Sequence, residues 1–303
     1  MKKNKQAMAT IKENNESYKL KAIFSKTMVY VFLVSFGFFV ILPFYWMVLT
    51  SFKSAETIIS NPPILWLWPN EWELSNFSDA MSKVPYFRYM LNTVLVATLA
   101  TIGTIFTTVL AAFAFARLNF KGRDTLFMLM LTTMMIPGEM YVITNYLTIA
   151  DLGLLSDQTY MMAIIALTLP FMTSVFYMFF LRQTFRQIPD ELYYAAKVDG
   201  TSDLKYLLRI MIPIAKPTII TITILNAMGT WNAYIWPRLV ADQELYRLVT
   251  NGLRGAAHVD NLGRPIFEEQ MAATLIVTLP LLIVFLFLKK YIMRGVSRSG
   301  IKG

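Results

Sequence analysis

Few side chains in this 303-residue sequence combine a reactive type with a position where chemistry could occur. Glu139 is the main ionisable residue inside a long apolar run, and it follows Pro137 and Gly138, which interrupt helical hydrogen bonding. A carboxylate beside a broken helix at membrane depth is a candidate pathway residue for a solute or an ion. The alternative is that Glu139 lies at the outer end of a membrane helix or is satisfied by neighbouring helices.

The sequence lacks the usual patterns of catalytic and metal sites. It contains no G-x-x-x-x-G-K-[ST] phosphate loop, and nothing in it resembles a nucleophile triad or a metal-binding helix. It has no cysteine, so disulfides and thiolate chemistry are excluded. The single histidine, His258, has no acidic or second histidine partner at ligand spacing, and we predict that it is a surface residue. We therefore expect no catalytic residue, metal or cofactor in this chain. Any energy that its function requires has to come from another protein.

Long apolar segments dominate the chain, which is 56% hydrophobic and only 16% charged. Crossing a bilayer takes roughly 20 apolar residues in a helix, and six segments reach or approach this length. They are residues 28–50, 90–116, 125–149, 158–181, 211–236 and 270–288. Pro170 and Pro280 lie within two of these runs and would permit kinks. The sequence thus predicts an all-α membrane protein with six transmembrane helices.

The placement of positive charge predicts the orientation of these helices. Of the 28 lysines and arginines, 21 lie in residues 1–27, 117–123, 182–216 and 289–302. By the positive-inside rule, both termini and the 182–216 loop are cytoplasmic. The net charge of +9 is therefore explained by topology, and we expect no nucleic-acid partner.

A polar stretch, 188-IPDELYYAAKVDGTSDLKYLLRIMIPIAKP-217, lies between two of the most apolar runs. Pro189 suits a helix start, and the two acidic residues after it favour the positive end of that helix. Gly200 can adopt the left-handed conformation that ends a helix, and Thr201 or Ser202 can cap the next one. The pattern predicts a helix, a tight turn and a second helix.

The two predicted helices differ in the surfaces they present. One face of the first carries Leu192, Ala195, Ala196 and Asp199, where the two alanines leave a shallow surface that another protein can approach. An apolar stripe on the second consists of Leu204, Leu207, Leu208 and Met211. We predict that the second helix packs on the membrane helices and the first is presented to a partner. The alternative is an amphipathic connector with no partner.

The 188–217 stretch resembles the cytoplasmic loop of permease subunits of bacterial ABC importers. That loop carries an E-A-A, three residues, G pattern, which Ala195, Ala196, Asp199 and Gly200 match, and a hydrophobic helix and prolines follow. Similarity to the second, smaller permease of maltose-type carbohydrate importers extends over most of the chain, including 113-FAFARLNFKGRD-124, 134-MMIPGEM-140 and 292-IMRGVSRSGIKG-303. Tyr194 departs from the pattern because the family has a glutamate there, so that residue's salt bridge cannot be carried over.

The resemblance implies a coupling role for the loop. Its first helix would dock on a cytoplasmic ATPase subunit, and the expected coupling residues are Glu191, Tyr194, Ala195, Ala196, Asp199 and Gly200. Further implied partners are a homologous permease forming a heterodimer, a second ATP-binding subunit, an extracytoplasmic solute-binding protein and a sugar or oligosaccharide substrate. The implied location is a bacterial plasma membrane.

Three regions follow from this assignment. Residues 1–27 form a cytoplasmic N-terminal segment, 28–292 the transmembrane permease domain and 293–303 a cytoplasmic tail. The resemblance implies that the tail reaches the interface between the ATPase subunits, with Lys302 as the charged contact, and the alternative is a frayed terminus.

Two rival functions belong to other classes. An ion-coupled secondary transporter, with the 188–217 loop as an intracellular gate, would need ion-binding or proton-relay residues in the spans, where Glu139 stands almost alone. An integral membrane enzyme is disfavoured because no clustered histidines or carboxylates share a membrane boundary.

Overall fold

The computed structural model describes residues 2–60, 62–155, 159–241, 243–253, 258–260 and 262–297, with the backbone alone for 2–22 and 290–297. Within these ranges every regular element is helical, and the extended backbone forms only an isolated bridge between Val259 and Pro265. The predicted tail contact, Lys302, lies outside the described residues.

Fourteen α-helices occur in the described part of the chain. They are α1 (Lys2–Ser51), α2 (Ala55–Ile58), α3 (Ser75–Lys83), α4 (Tyr86–Arg117), α5 (Arg123–Thr133), α6 (Tyr141–Asp151), α7 (Tyr160–Thr168), α8 (Val175–Arg186), α9 (Asp190–Val198), α10 (Asp203–Tyr206), α11 (Ile212–Trp231), α12 (Ile235–Val240), α13 (Val249–Leu253) and α14 (Phe267–Ser297). A π-helical turn, Leu207–Met211, joins α10 to α11.

Four helices in the described residues are long and apolar enough to cross a membrane: Ile23–Ser51, Tyr86–Arg117, Asp203–Trp231 and Phe267–Lys289. Two bent pairs pass the same test when each pair is taken together. Arg123–Thr133 with Gly138–Asp151 bends by 84°, and Tyr160–Phe171 with Val175–Arg186 bends by 52°. The predicted all-helical membrane architecture is confirmed, and six spans result if each bent pair is one span.

Proline positions explain where the predicted spans are interrupted. The 125–149 and 158–181 spans break at Pro137 and Pro170, because proline lacks the amide hydrogen needed for the helical bond. Pro280, by contrast, lies inside the unbroken α14. A proline in an apolar run therefore permits a break without requiring one.

The chain divides into two compact units, each with its own packing. In the unit of residues 1–77 and 266–275, the Phe52 ring lies 5.0 Å from Trp72 and 5.1 Å from Phe77. In the unit of residues 78–265 and 276–303, α4 packs against α8 and α11. The second unit holds the loop of interest.

The prediction that His258 is a surface residue is wrong. Its side chain is only 1% exposed, and its Nε2 lies 2.7 Å from the hydroxyl of Tyr86, with the two rings stacked. Short spacing along the sequence carries no information about this partner, because Tyr86 is 172 residues away from His258 along the chain. A buried histidine satisfied by a phenol is a packing element of the second unit.

Candidate functional site

The turn after α9 is closed by local hydrogen bonds. Gly200 has a φ of +69°, in the left-handed region that glycine adopts without a steric penalty. The Gly200 N–H donates to the Lys197 carbonyl (3.0 Å), and the Thr201 N–H donates to the Ala196 carbonyl (2.8 Å). These two bonds form a Schellman motif, which satisfies carbonyls at the end of the helix. The helix end therefore lies at the glycine indicated by the sequence.

The second helix of the hairpin starts at a side-chain cap. The Ser202 hydroxyl accepts a hydrogen bond from the Lys205 N–H at 3.4 Å, so Ser202 rather than Thr201 caps α10. We refer to residues 188–217 as the hairpin. Its cytoplasmic placement and its contact with a partner stay predictions.

Two polar contacts and one aromatic contact brace the two arms of the hairpin. The Tyr193 hydroxyl donates to Asp203 Oδ1 at 2.7 Å, and Lys197 Nζ lies 2.8 Å from the same oxygen. The Tyr193 ring also packs edge-on against Tyr206, with a centroid distance of 5.1 Å. Tyr193 thus holds α9 against α10 and contributes little to the outer surface.

The protonation states in this brace persist at neutral pH. The hydrogen bond to Asp203 raises the pKa of Lys197 above its ordinary value of 10.5. Burial, followed by the bond to Asp203, raises the pKa of Tyr193 above its ordinary value of 10.0. Because both folded-state values are raised, their stabilising contributions are present below the ordinary values and are lost as the pH rises through the raised ones. The contributions of Lys197 and Tyr193 to the brace should therefore weaken in alkaline solution.

The outer surface of α9 is apolar at its centre and charged at its margins. Tyr194 is 65% exposed and Val198 is 89% exposed. Val198 was not predicted to contribute. Of the residues that were predicted, Glu191, Leu192, Ala195 and Asp199 are exposed as well. Ala196 differs from them, because it is buried in the apolar core. A small residue there allows α9 to pack closely on the bundle and does not extend the outer surface.

The apolar stripe predicted for the second helix is only half buried. Leu207 and Met211 are buried, whereas Leu204 and Leu208 are exposed. Leu208 lies within the π-helical turn Leu207–Met211, where the regular α-helical spacing assumed for the stripe does not hold. Leu204 lies before that turn, in α10. The prediction that the stripe as a whole packs on the membrane helices is therefore wrong for Leu204 and Leu208.

Arg117 ties the hairpin to the membrane bundle. This residue ends α4, and its side chain is 5% exposed. One guanidinium nitrogen lies 2.6 Å from Asp190 Oδ1, and the other donates to the carbonyl of Phe185 (2.9 Å) and to that of Ile188. A planar guanidinium can hold several acceptors at once. Arg117 thereby joins α4, the end of α8 and the start of α9.

A second buried arginine, Arg182, holds α8 against α4 and α5. Arg182 Nε donates to the Phe115 carbonyl at 3.1 Å, and its guanidinium lies 3.9 Å from the Phe127 ring centroid and 3.6 Å from Asp124. Neither arginine was predicted from the sequence to be a functional residue. The available signal was a basic side chain directly after an apolar run, where burial requires a partner.

Glu139 lies in the 3-10 turn Gly138–Met140, at the break between α5 and α6, and is exposed. Its role in a pathway stays a prediction. Among the described residues, no group of three histidines or carboxylates is placed to hold a metal ion.

Comparison with known proteins identifies similar chains. Residues 103–298 match the family model described as "binding-protein-dependent transport system inner membrane component". The diacetylchitobiose uptake permease NgcG of Streptomyces coelicolor is 30% identical over 270 residues, which cover 88% of this chain and 86% of that protein. The sn-glycerol-3-phosphate permease UgpE of Yersinia pestis is 29% identical over 249 residues, with coverage of 82% and 85%.

A solved structure shares the fold. A chain from a bacterial ABC transporter involved in the import of alginate, an acidic polysaccharide, superposes with a TM-score of 0.74. The alignment covers 86% of this chain and 94% of the other at 24% identity, and at that identity it supports the fold alone.

Proposed function

This chain belongs to the family of binding-protein-dependent transport system inner membrane components, and from this premise we propose that it is the permease subunit of an ABC importer for a sugar or a related solute. It is a multi-pass plasma-membrane protein of a transport family and not of an enzyme family. The family match over residues 103–298, which contains the braced hairpin, is the observation that carries the proposal.

The substrate class rests on the relatives. NgcG is named for diacetylchitobiose and UgpE for sn-glycerol 3-phosphate, so the shared chemistry is a small polyhydroxylated solute. None of the similar proteins favours an ion-coupled secondary transporter. We therefore assign carbohydrate or a closely related polyol as the substrate.

The proposed assembly places the hairpin in the cytoplasm with both termini. A homologous permease completes the pore, two ATP-binding subunits lie below it, and a solute-binding protein delivers solute from outside. In this proposal the tail, residues 293–303, reaches the ATP-binding subunits through Lys302. Glu139 lies beside the pathway.

The hairpin has the properties that a mechanical link requires. Its outer surface exposes Tyr194 and Val198, and an exposed apolar patch with a charged rim is typical of a protein contact. Its inner side is held by Arg117, so movement of α9 is passed directly to α4 and α8. ATP binding would close the ATPase dimer, displace α9 and switch the bundle between inward and outward access.

Purification of the membrane complex tests this function. The permease should copurify with ATP-binding subunits, and the reconstituted complex should import solute only with ATP and its solute-binding protein. Solute uptake by the permease alone, driven by a proton or sodium gradient, would contradict the proposal and favour the secondary-transporter alternative.

Substitution of Tyr194 tests the docking surface. Because its side chain is largely exposed, Tyr194→Ala should change folding stability by no more than about 0.5 kcal/mol. As an aromatic anchor of a protein contact, the same change should weaken binding of the ATP-binding subunits by about tenfold. Binding can be measured by titrating purified ATP-binding subunits onto the immobilised permease pair.

Tyr30→Ala is the matched control, because Tyr30 is similarly exposed but lies in α1. It should leave binding of the ATP-binding subunits unchanged. Equal affinities for the wild type and Tyr194→Ala would remove Tyr194 from the proposed contact.

A further inference from the structure

A cavity of about 190 Å³ lies inside the second unit, between α4, α7, α8, α11 and α12. Its lining includes Phe171, Tyr177, Asn226, Gly229, Thr230 and Trp236. Because a water molecule takes about 30 Å³ in the liquid, this volume holds roughly six waters or a single six-membered sugar ring. The cavity is open on one side, and Phe171 and Gly229, which line it, are exposed residues.

Interrupted helices form part of the cavity wall. Phe171 belongs to the 3-10 turn Leu169–Phe171, at the 52° bend between α7 and α8. Ala233, another lining residue, lies in the break between α11 and α12. Irregular backbone within a membrane is tolerated where it faces protein or a watery cavity, and such breaks surround solute sites in transporters.

The polar side chains on the wall retain hydrogen-bonding capacity. The Tyr177 hydroxyl has no partner among the described residues. Asn226 Nδ2 donates to Thr101 Oγ1 at 3.1 Å, and its Oδ1 accepts no bond from any described residue. The Thr230 hydroxyl donates to the Asn226 carbonyl at 3.1 Å and keeps acceptor capacity. The cavity thus offers a phenol donor and an amide acceptor.

Aromatic and aliphatic side chains form the rest of the surface. The ring of Trp236 is fixed by a bond from its Nε1 to the Ala166 carbonyl (3.1 Å) and packs edge-on against Phe171 (5.7 Å). Apolar walls with a few placed polar groups are typical of small-molecule sites. Every residue in the cavity lining is uncharged, so an anion there would lack the cation needed to offset its desolvation.

We infer that this cavity is a subsite on the translocation path that receives one neutral sugar ring. The inference rests on the proposed importer function and narrows its substrate class. Tyr177 and Asn226 would bind ring hydroxyls, and Phe171 would contact the C–H face of the ring. Uronates and phosphorylated polyols, in contrast, would be disfavoured.

A cysteine at Gly229 provides a reversible test. A Cβ at Gly229 meets no atom within 4 Å, and the natural chain has no cysteine, so Gly229→Cys places one thiol in the cavity without a clash. The complete complex is reconstituted with its solute-binding protein and treated with the neutral, polar reagent 2-hydroxyethyl methanethiosulfonate. Modification should lower ATP-driven uptake by about tenfold, and dithiothreitol should restore it.

Gly37→Cys is the matched control. Gly37 also has no atom within 4 Å of its added Cβ, but it lies in α1 and does not line this cavity. The reagent should leave uptake by this variant and by the wild type unchanged. Recovery on reduction shows that the treated protein was folded, so loss of uptake reports occlusion.

The probes are isotopically labelled neutral oligosaccharides from chitin and starch, compared with labelled uronates from pectin and alginate. Import of neutral probes, blocked at Gly229→Cys alone, supports the inference. If uptake by Gly229→Cys is insensitive to the reagent, the cavity is not a subsite on the path. If uronates are imported, the subsite does not prefer neutral sugars. Both results leave the importer function intact. Absence of ATP-driven import of either class overturns the proposed sugar function as well.

Discussion

Gly200→Val is expected to lower ATP-driven solute uptake by about tenfold or more, while the permease still inserts into the membrane. Gly200 has a φ of +69°, and an L-residue in this conformation costs roughly 1–2 kcal/mol, with a larger penalty for a β-branched side chain. The strain falls on the turn whose two backbone bonds end α9. Relief of that strain by unwinding would displace α9 from its ATP-binding partner. Uptake and ATP hydrolysis, measured in the same proteoliposomes, separate uncoupling from loss of assembly.

Two controls separate the effect of strain at this turn from the effect of backbone strain elsewhere in the chain. Asparagine tolerates the left-handed region, so Gly200→Asn should retain most of the uptake. Gly153→Val imposes similar strain at a φ of +72°, again with no atom near the added Cβ, but in the segment after α6. Normal uptake and normal stimulated ATP hydrolysis in Gly200→Val would show that the coupling assignment is wrong.

Arg117→Ala is expected to cause a similarly large loss of coupling. It removes a guanidinium that bonds Asp190 and two backbone carbonyls, and it leaves these carbonyls without their charged donor. Removing one partner of a buried ion pair lowers the free energy of unfolding by about 3–5 kcal/mol. We expect a smaller loss for Arg117→Ala, because Asp190 is exposed. We expect reduced thermal stability and uncoupled ATP hydrolysis, because α9 is no longer fastened to α4.

Arg117→Lys keeps the charge but cannot reproduce the planar fork, so an intermediate loss of uptake is expected. Arg264→Ala is the comparison for charge removal, because its pair with Asp260 is at the surface, with the Arg264 side chain 72% exposed. Exposed ion pairs contribute about 0–1 kcal/mol to folding stability, so Arg264→Ala should transport normally. Equal uptake in Arg117→Ala and the wild type would exclude the proposed mechanical link.

Some features of the hairpin depend on short-range chemistry and were predictable. Proline at a helix start, glycine in a left-handed turn and serine as a cap act within about four residues of their own position. Pro189, Gly200 and Ser202 accordingly mark the elements found in the structure. The breaks at Pro137 and Pro170 have the same local origin.

Side-chain partners across the bundle were not predictable. Arg117 and Asp190 are 73 residues apart, and nothing in either local segment indicates their pairing. The same holds for His258 and Tyr86. The exposure of Leu204 and Leu208 was also not predicted, because hydrophobic spacing alone does not show which part of an apolar stripe packs on the bundle.

By itself, the sequence determined that this is an all-helical membrane protein, because roughly 20 consecutive apolar residues suffice for a span. Its long composite motif also indicated the transport family. The orientation that the loop charges indicate stays a prediction. The tertiary structure alone decided which arginines hold the hairpin, where Ala196 packs and that Tyr177 and Asn226 share a cavity. Those features depend on contacts between helices distant in sequence, and close packing, rather than local propensity, selects such contacts.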